Sequence, residues 1–301
     1  MGIGDDCAVL RPRPGEELAV TTDLSIAGRH FRIEWHSPES IGHRTLVRGL
    51  SDLAAMGARP LTAFLSLGLP RSLILQGQRG SAAWMSRFFD GLLRLAKAHR
   101  VQLAGGDLAE SPLAVADIVL IGAVPRGRAL LRSGARPGDL LYLTGALGAA
   151  AAGFRRLARL KGNVPAKIHG ALGAHLFPPP RVAQGEWLRR RGLATAAIDL
   201  SDGLSTDLAH VCEESGVAAE VEADALPIDR EATLEQALHG GEDYELLFAA
   251  GPSARLPRLI AGVPVTRIGR VVKPKPGRPA VALITGHGSR PLRAHGWEHF
   301  A

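Results

Sequence analysis

Between residues 132 and 139 the sequence RSGARPGD sets Gly and Pro where neither a helix nor a strand runs on, and it divides a chain of 301 residues into two blocks. Each block mixes strand-like and helix-like periodicity. In the first, residues 17–22 and 60–69 read as strands, residues 101–104 and 114–124 as two more, and Ser37-Pro38 caps a helix predicted to run to about residue 57. A second helix is predicted over residues 80–100. The second block opens with a strand at 140–143 and an Ala-rich helix after Gly148. Beyond the prolines of 178–180 follow a short helix, a strand over 195–200, a helix over 203–215, and strands over 244–250 and 264–271. The stretch VVKPKPGRP reads as a turn between late strands. No fixed-period repeat interrupts this pattern, so two α+β domains are expected, divided as residues 1–133 and 134–301.

The most apolar stretch, residues 140–154, is 15 residues long and is broken by Thr144 and three glycines, short of the roughly 18 that a membrane span requires. The MGIGDD start has no cationic segment followed by an apolar one, so no secretory signal is read and the cytoplasm is expected. Cys7 and Cys212 belong to no CxxC pair and are expected to be packing residues. The net charge of +7 comes from arginines scattered through an Ala-rich background with 5% aromatics, without the basic-aromatic interleaving of a nucleic-acid binder. Neither nucleic acid nor membrane is an expected partner. A basic field also favours small anionic substrates such as phosphates.

The chain contains no Gly-Lys pair, and GxGxxG, HRD, HExxH and GxSxG are all absent, which excludes P-loop, protein-kinase, zincin and hydrolase chemistry in their usual forms. What it does contain is acids set among Gly, Ser and Thr: Gly4-Asp5-Asp6, Thr21-Thr22-Asp23, Ser51-Asp52, Gly105-Gly106-Asp107 and Asp199-Leu200-Ser201-Asp202-Gly203. Alone, each is an ordinary turn or helix cap. Together they suit Mg²⁺, which takes hard oxygen ligands and is commonly held by a few carboxylates plus substrate phosphates. Asp52 falls in the last turns of its predicted helix, where the macrodipole disfavours an anion by a few tenths to about 1 kcal/mol, and a nearby cation offsets that cost. Asp202 opens a helix and is favourable there without any metal; spacing does not decide whether Asp199 points into the same loop. Gly240-Gly241-Glu242-Asp243-Tyr244-Glu245 gathers three acids after a glycine pair, either as a ligand grip or as a loop into a strand. His30 is either a loop residue or a substrate contact, and Arg132 could offer its planar fork to a phosphate.

In order, GIGDDCAVL, TTDLSIAGRHF, SDLAAMGARP, GGDLAESP, LLRSGARPGD, AIDLSDGLSTDL and GGEDYELLF resemble the thiamine-monophosphate kinases, which phosphorylate thiamine monophosphate to thiamine diphosphate with ATP. The likeness runs from Gly2 to the final GWEHF. Single pieces recur in relatives that share the fold and ATP use: aminoimidazole ribonucleotide synthetase, selenophosphate synthetase and the hydrogenase maturation dehydratase. The resemblance implies an amino-terminal α/β domain (residues 1–133) that binds ATP and Mg²⁺ and whose strands help form a barrel in a homodimer, followed by a carboxy-terminal α+β domain (134–301). It implies a magnesium cluster of Asp6, Thr21, Thr22, Asp23, Asp52, Asp107 and Asp199, with Asp202 on a further ion. Asp52, Asp107 and Asp202 are the acids expected to be catalytic. Gly106, Asp107, Arg132, Ser201 and Phe89 are expected at the nucleotide, and His30, Glu242 and Trp297 at thiamine monophosphate. The sequence departs from the family in three places. It begins almost on GIGDD, where relatives usually carry a preceding helical segment, Phe89 stands for a frequent Tyr, and Gly49 replaces a customary Asn. Two alternatives stay open at this point, another ATP-using member of the superfamily and a non-catalytic nucleotide or metal binder.

Overall fold

The computed structural model describes residues 3, 7–75, 83–161 and 163–296. Strand β1 (Glu16–Ile26) alternates from Leu18 onward. Ala19, Thr21, Asp23 and Ser25 turn inward, while Leu18, Val20 and Leu24 lie on the other face, 40%, 64% and 46% exposed. Helix α1 (Pro38–Ala55) starts as its sequence dictates: Pro38 is preorganised for the first turn, and Ser37 Oγ accepts the Ser40 N–H at 3.2 Å. Next come β2 (Arg59–Leu69), the short α2 (Arg71–Leu75), α3 (Trp84–Ala98), β3 (Gln102–Glu110) and β4 (Val115–Pro125). The four strands form one sheet in the order β1-β4-β2-β3, parallel only between β2 and β3. Leu46, Val47, Leu50 and Leu53 of α1 are buried in one core with Ile118 and Leu120 of β4 and Leu65 and Leu67 of β2.

The contact of α1 with α3 is made by two glycines. A Cβ on Gly42 would lie 2.0 Å from the Phe88 carbonyl oxygen, and one on Gly91 would lie 1.9 Å from that of Glu39. Arg87 then pins the pair with a forked contact to Glu39 at 2.7 and 2.9 Å. Gly91→Ala gains up to about 1 kcal/mol of helix propensity, yet it forces two packed backbones apart at a typical cost of about 1–3 kcal/mol or more. The overlap is with backbone, so the second effect wins. Urea denaturation should show a net loss of roughly 1–2 kcal/mol.

The second block comprises β5 (Leu140–Thr144), α4 (Ala149–Leu160), α5 (Gly170–Leu176), α6 (Val182–Arg191), β6 (Ala194–Asp199), α7 (Leu204–Ser215), β7 (Ala218–Glu222), a 3-10 turn at Ala223–Ala225, α8 (Leu234–His239), β8 (Leu246–Ala250), β9 (Leu259–Ile260), β10 (Val263–Val272), β11 (Val281–Thr285) and β12 (Gly288–Pro291). Its sheet runs β12-β11-β7-β10-β5-β8-β6, with β9 paired to β10. A core of its own includes Leu143, Leu204, Leu208, Val221 and Leu283. The first core also takes in Val182, Leu188, Ala197, Leu246 and Phe248 of this block, and α1 touches α5, α6 and β6. Helix α1 is therefore shared ground between the two blocks. At the α6 crossing Gly185 makes the approach, since a Cβ there would lie 1.9 Å from the Ala54 carbonyl oxygen.

Several boundaries differ from the expected ones. Strand β3 continues through Gly105-Gly106-Asp107 to Glu110 instead of ending at 104, because β2 pairs with it along that length. Gly106, at φ 148°, runs so close to β2 that a Cβ would lie 1.9 Å from the Leu65 carbonyl oxygen. The strand expected from Tyr244 starts at Leu246, since Glu242 and Tyr244 are left-handed at φ 60° and 51°. Helix α8, fixed by a Thr233–Gln236 capping box, was not expected. Cys212 is buried in the second core as expected, whereas Cys7 is exposed. No helix among the described residues is long and apolar enough to cross a membrane.

Candidate active site

Three acids from separate elements meet where the blocks join. Asp23 is on the α1-facing row of β1, Asp52 in the last turn of α1, and Asp199 at the end of β6. Thr21 Oγ1 donates to Asp52 Oδ2, and Ser51 Oγ donates to Asp199 Oδ2 at 2.7 Å. Burial, with Asp199 and Asp23 adding repulsion, pushes the Asp52 carboxyl up to about 7 against the opposing pull of Thr21 and Arg132. Burial likewise raises Asp199; Asp23 adds to this, and the Ser51 hydrogen bond and Arg132 oppose it. Asp23 Oδ1 lies 3.3 Å from Arg48 Nε, and its buried Oδ2 has no hydrogen-bond partner among the described residues. The protein thus brings together acidic oxygens that repel one another and that a cation would relieve. Among the described residues there is no group of three or more His, Cys, Asp or Glu that could hold a metal ion.

Beyond β6, Asp207 in the first turn of α7 accepts the backbone N–H groups of Ser201, Asp202 and Gly203 at 3.1, 3.1 and 3.0 Å, which fixes that loop. The loop in turn fixes the glycine-acid segment, since Glu242 N–H donates to Ser201 O at 2.7 Å and Tyr244 N–H to Leu200 O at 2.9 Å. Gly241, at φ 66°, passes so close that a Cβ would lie 2.6 Å from Ser201 O. Gly241→Ala therefore meets both backbone strain and a clash, and should cost about 1–3 kcal/mol in a denaturant titration. The two left-handed residues that follow place Glu242 in the same cavity as the acids.

That cavity measures about 680 Å³ and is lined by Asp23, Asp52, Asp199, Ser201, Asp202, His30 and Glu242. Arg29, Arg32, Arg48 and Arg155 also line it, so the hollow carries both signs of charge. Asp199 and Asp202 do face one hollow, the point that spacing left open. A second cavity of about 590 Å³ holds Phe89, Gly106 and Asp107. Across the first sheet, Asp107 is opposite Ser66, Ser66 opposite Asp117, and Asp117 opposite Leu24. Asp107 is therefore three strand spacings from β1, about 14 Å. Thr22 turns away from Thr21 and donates to Asp117 Oδ1 at 3.0 Å. Within one chain, Thr22 and Asp107 do not join the other acids. Arg132 is exposed and acts on Asp52 and Asp199 through its charge. Asp6 and Trp297 lie outside the described residues.

Sequence reasoning did not single out Arg44, Arg48, His36, His175 or Asp207. A signal for two of them was present: Arg44, Arg48 and Asp52 recur every four residues along α1, one charged stripe on a largely buried helix.

The family model for AIR synthase related protein, N-terminal domain, matches residues 4–129, and that for the C-terminal domain matches residues 136–281. The thiamine-monophosphate kinase of Salmonella typhimurium is 41% identical over 283 residues, covering 90% of this chain and 83% of that protein. The chain belongs to the thiamine-monophosphate kinase family. Among solved structures, a thiamine-monophosphate kinase from Stenotrophomonas maltophilia superposes with a TM-score of 0.80 at 39% identity, over 94% of this chain and 90% of that one. A structure of AaThiL complexed with AMPPCP and TMP gives a TM-score of 0.82 at 29% identity, over 96% and 89% of the two chains. The two-domain α+β architecture expected for the family is the one found here.

Proposed function

We propose that this chain transfers the γ-phosphoryl group of ATP to thiamine monophosphate, giving thiamine diphosphate and ADP, and that it works in the cytoplasm as a homodimer. The observation that carries the reading is the meeting of Asp52 from the first block and Asp199 from the second in a cavity of about 680 Å³ that Glu242 also lines. That volume is within the usual range for small-molecule sites, about 300–1,000 Å³. A relative similar to this chain over 96% of its length is complexed with AMPPCP and TMP, which supports both substrates.

The donor set fits Mg²⁺. It consists of hard oxygens from Asp23, Asp52 and Asp199 with the Thr21 hydroxyl near by, Asp202 lines the same hollow, and the set is too sparse to cage an ion alone. Such a site leaves coordination positions for water and for the triphosphate. Bound there, Mg²⁺ would neutralise charge on the transferring phosphoryl group.

The chain's own residues align and compensate. Arg48 and its neighbouring arginines set positive charge against the anionic substrates. A terminal phosphate oxygen of thiamine monophosphate attacks the γ-phosphorus in line, that P–O bond forms as the bond to the ADP oxygen breaks, and ADP carries away the electron pair. The attacking oxygen is already ionised near neutral pH, so alignment and charge stabilisation suffice without a strong general base. Ser201 and Arg132 are assigned to the nucleotide, Phe89, Gly106 and Asp107 to its far end in the second cavity, and His30 and Glu242 to thiamine monophosphate. Residues 1–133 are the nucleotide and dimer domain in this reading, and 134–301 the second domain. The exposed row of Leu18, Val20 and Leu24 is the face we assign to the second copy.

Incubation with ATP, Mg²⁺ and thiamine monophosphate, followed by chromatography, should yield thiamine diphosphate and ADP in equal amounts. ADP formed only with aminoimidazole precursors or selenide would move the chain to another branch of the superfamily. ATP binding without any product would make it a non-catalytic descendant.

A further inference from the structure

We propose that His36 and His175 form an ordered hydrogen-bond relay that turns a fixed N–H toward Glu242, making His175 a positioning residue for the acceptor of thiamine monophosphate. The inference rests on the substrate reading above for what Glu242 faces, and on the geometry below for the relay.

The two imidazoles come from opposite blocks, His36 just before α1 and His175 within α5, and they are 3% and 1% exposed. Their Nε2 atoms are 3.1 Å apart, so a single proton lies between them. Burial and the nearby Arg44 hold His36 down to about 4, and the same influences, with His36 itself, keep His175 well below its ordinary range. Both rings are neutral at pH 7, and each carries one N–H.

Two proton orders satisfy the central contact, and the surroundings select one. At the outer end of His36, Nδ1 lies 3.1 Å from both the Arg32 N–H and the Arg32 carbonyl oxygen, so that end accommodates either order and the Glu242 end decides. A His36 proton on Nε2 is accepted by His175 Nε2, which leaves the His175 proton on Nδ1. That atom is buried, has no hydrogen-bond partner among the described residues, and lies 3.8 Å from Glu242 Oε2. The reverse order would set a bare nitrogen lone pair against a carboxylate.

Glu242 is thus held from two sides, Oε1 by Arg44 and Oε2 by the dipole of His175. The gap of 3.8 Å is longer than a hydrogen bond, and a small rotation of the half-exposed Glu242 side chain closes it. Held in this way, the carboxylate offers its remaining lone pairs to an N–H donor such as the pyrimidine amine of thiamine.

Two substitutions separate the relay from mere packing. The Asn side-chain amide can place its N–H where His175 Nδ1 lies, and that of Gln where Nε2 lies. His175→Gln should raise the KM for thiamine monophosphate about tenfold or more, as loss of a hydrogen bond to a charged group does, with kcat and the KM for ATP within about threefold. His175→Asn should recover most of that rise. Equal behaviour of the two variants, or a matching rise in the KM for ATP, would overturn the relay. Long-range ¹H–¹⁵N spectra of the unsubstituted protein give an answer that depends on neither variant folding: His36 protonated on Nε2 and His175 on Nδ1. The reverse tautomers, or averaging between the two orders, would overturn the relay as well. If the unsubstituted protein neither binds nor phosphorylates thiamine monophosphate, the substrate reading fails, and these spectra still decide the proton order.

Discussion

Asp52→Asn is expected to lower kcat by about a hundredfold or more, the scale on which removal of a group that stabilises transition-state charge is felt. The same substitution should leave the metal-free fold intact. Asp52 is held near Asp199 and Asp23 with its carboxyl pushed up to about 7, far above an ordinary aspartate. Because the folded-state value is the raised one, the folded chain keeps a proton that the unfolded chain has lost. Stability of the metal-free protein therefore falls as pH rises from about 4 to about 7, by at most about 1.4 kcal/mol per pH unit from this group. Asparagine has no such proton to lose. Above pH 7 the metal-free variant should melt at or above the temperature of the unsubstituted chain, and below pH 4 the advantage should vanish. A variant that loses stability and turnover together would make Asp52 a structural residue.

Arg44→Met should produce the largest loss of stability among single substitutions at the site. Arg44 is 5% exposed and ties α1 to the second block, donating from Nη1 to the His175 carbonyl at 2.6 Å and from Nη2 to Glu242. Methionine keeps much of the apolar stem but strands a buried carbonyl and a carboxylate. Breaking a buried ion pair from one side costs about 3–5 kcal/mol; Glu242 is 31% exposed, so water recovers part of this and roughly 2–4 kcal/mol is expected. Denaturant titration measures that loss. At a temperature where the variant remains folded, the KM for thiamine monophosphate should rise more than that for ATP, because Glu242 loses its anchor. Stability within about 0.5 kcal/mol of the unsubstituted chain would contradict the tether.

The parts of this fold that were legible in the sequence are those set by local chemistry. The Ser37-Pro38 start of α1 and the turn after β10 each follow from a few neighbouring residues. The acids of the site were legible as residue types among small hydroxyl and glycine neighbours, whereas the meeting of Asp23, Asp52 and Asp199 depends on three separate elements and was implied only by the resemblance. What was not legible depends on register and on distant partners. Gly105-Gly106 reads as a break, yet here glycine is needed for the continuing strand to pass β2. The position of Asp107 follows from pairings across three strands, which no local pattern encodes. His36 and His175 are 139 positions apart and look ordinary singly. The left-handed Glu242 and Tyr244 carry no residue-type signal at all, since glycine is the usual choice there.

Diffraction from crystals grown with Mn²⁺, a non-hydrolysable ATP analogue and thiamine monophosphate tests the whole account most directly, because anomalous scattering locates the cation without assumption. A Mn²⁺ peak ligated by Asp52 or Asp199 and by the γ-phosphate is expected, with thiamine monophosphate in the same hollow alongside Glu242. A cation and γ-phosphate seated away from both acids would contradict it.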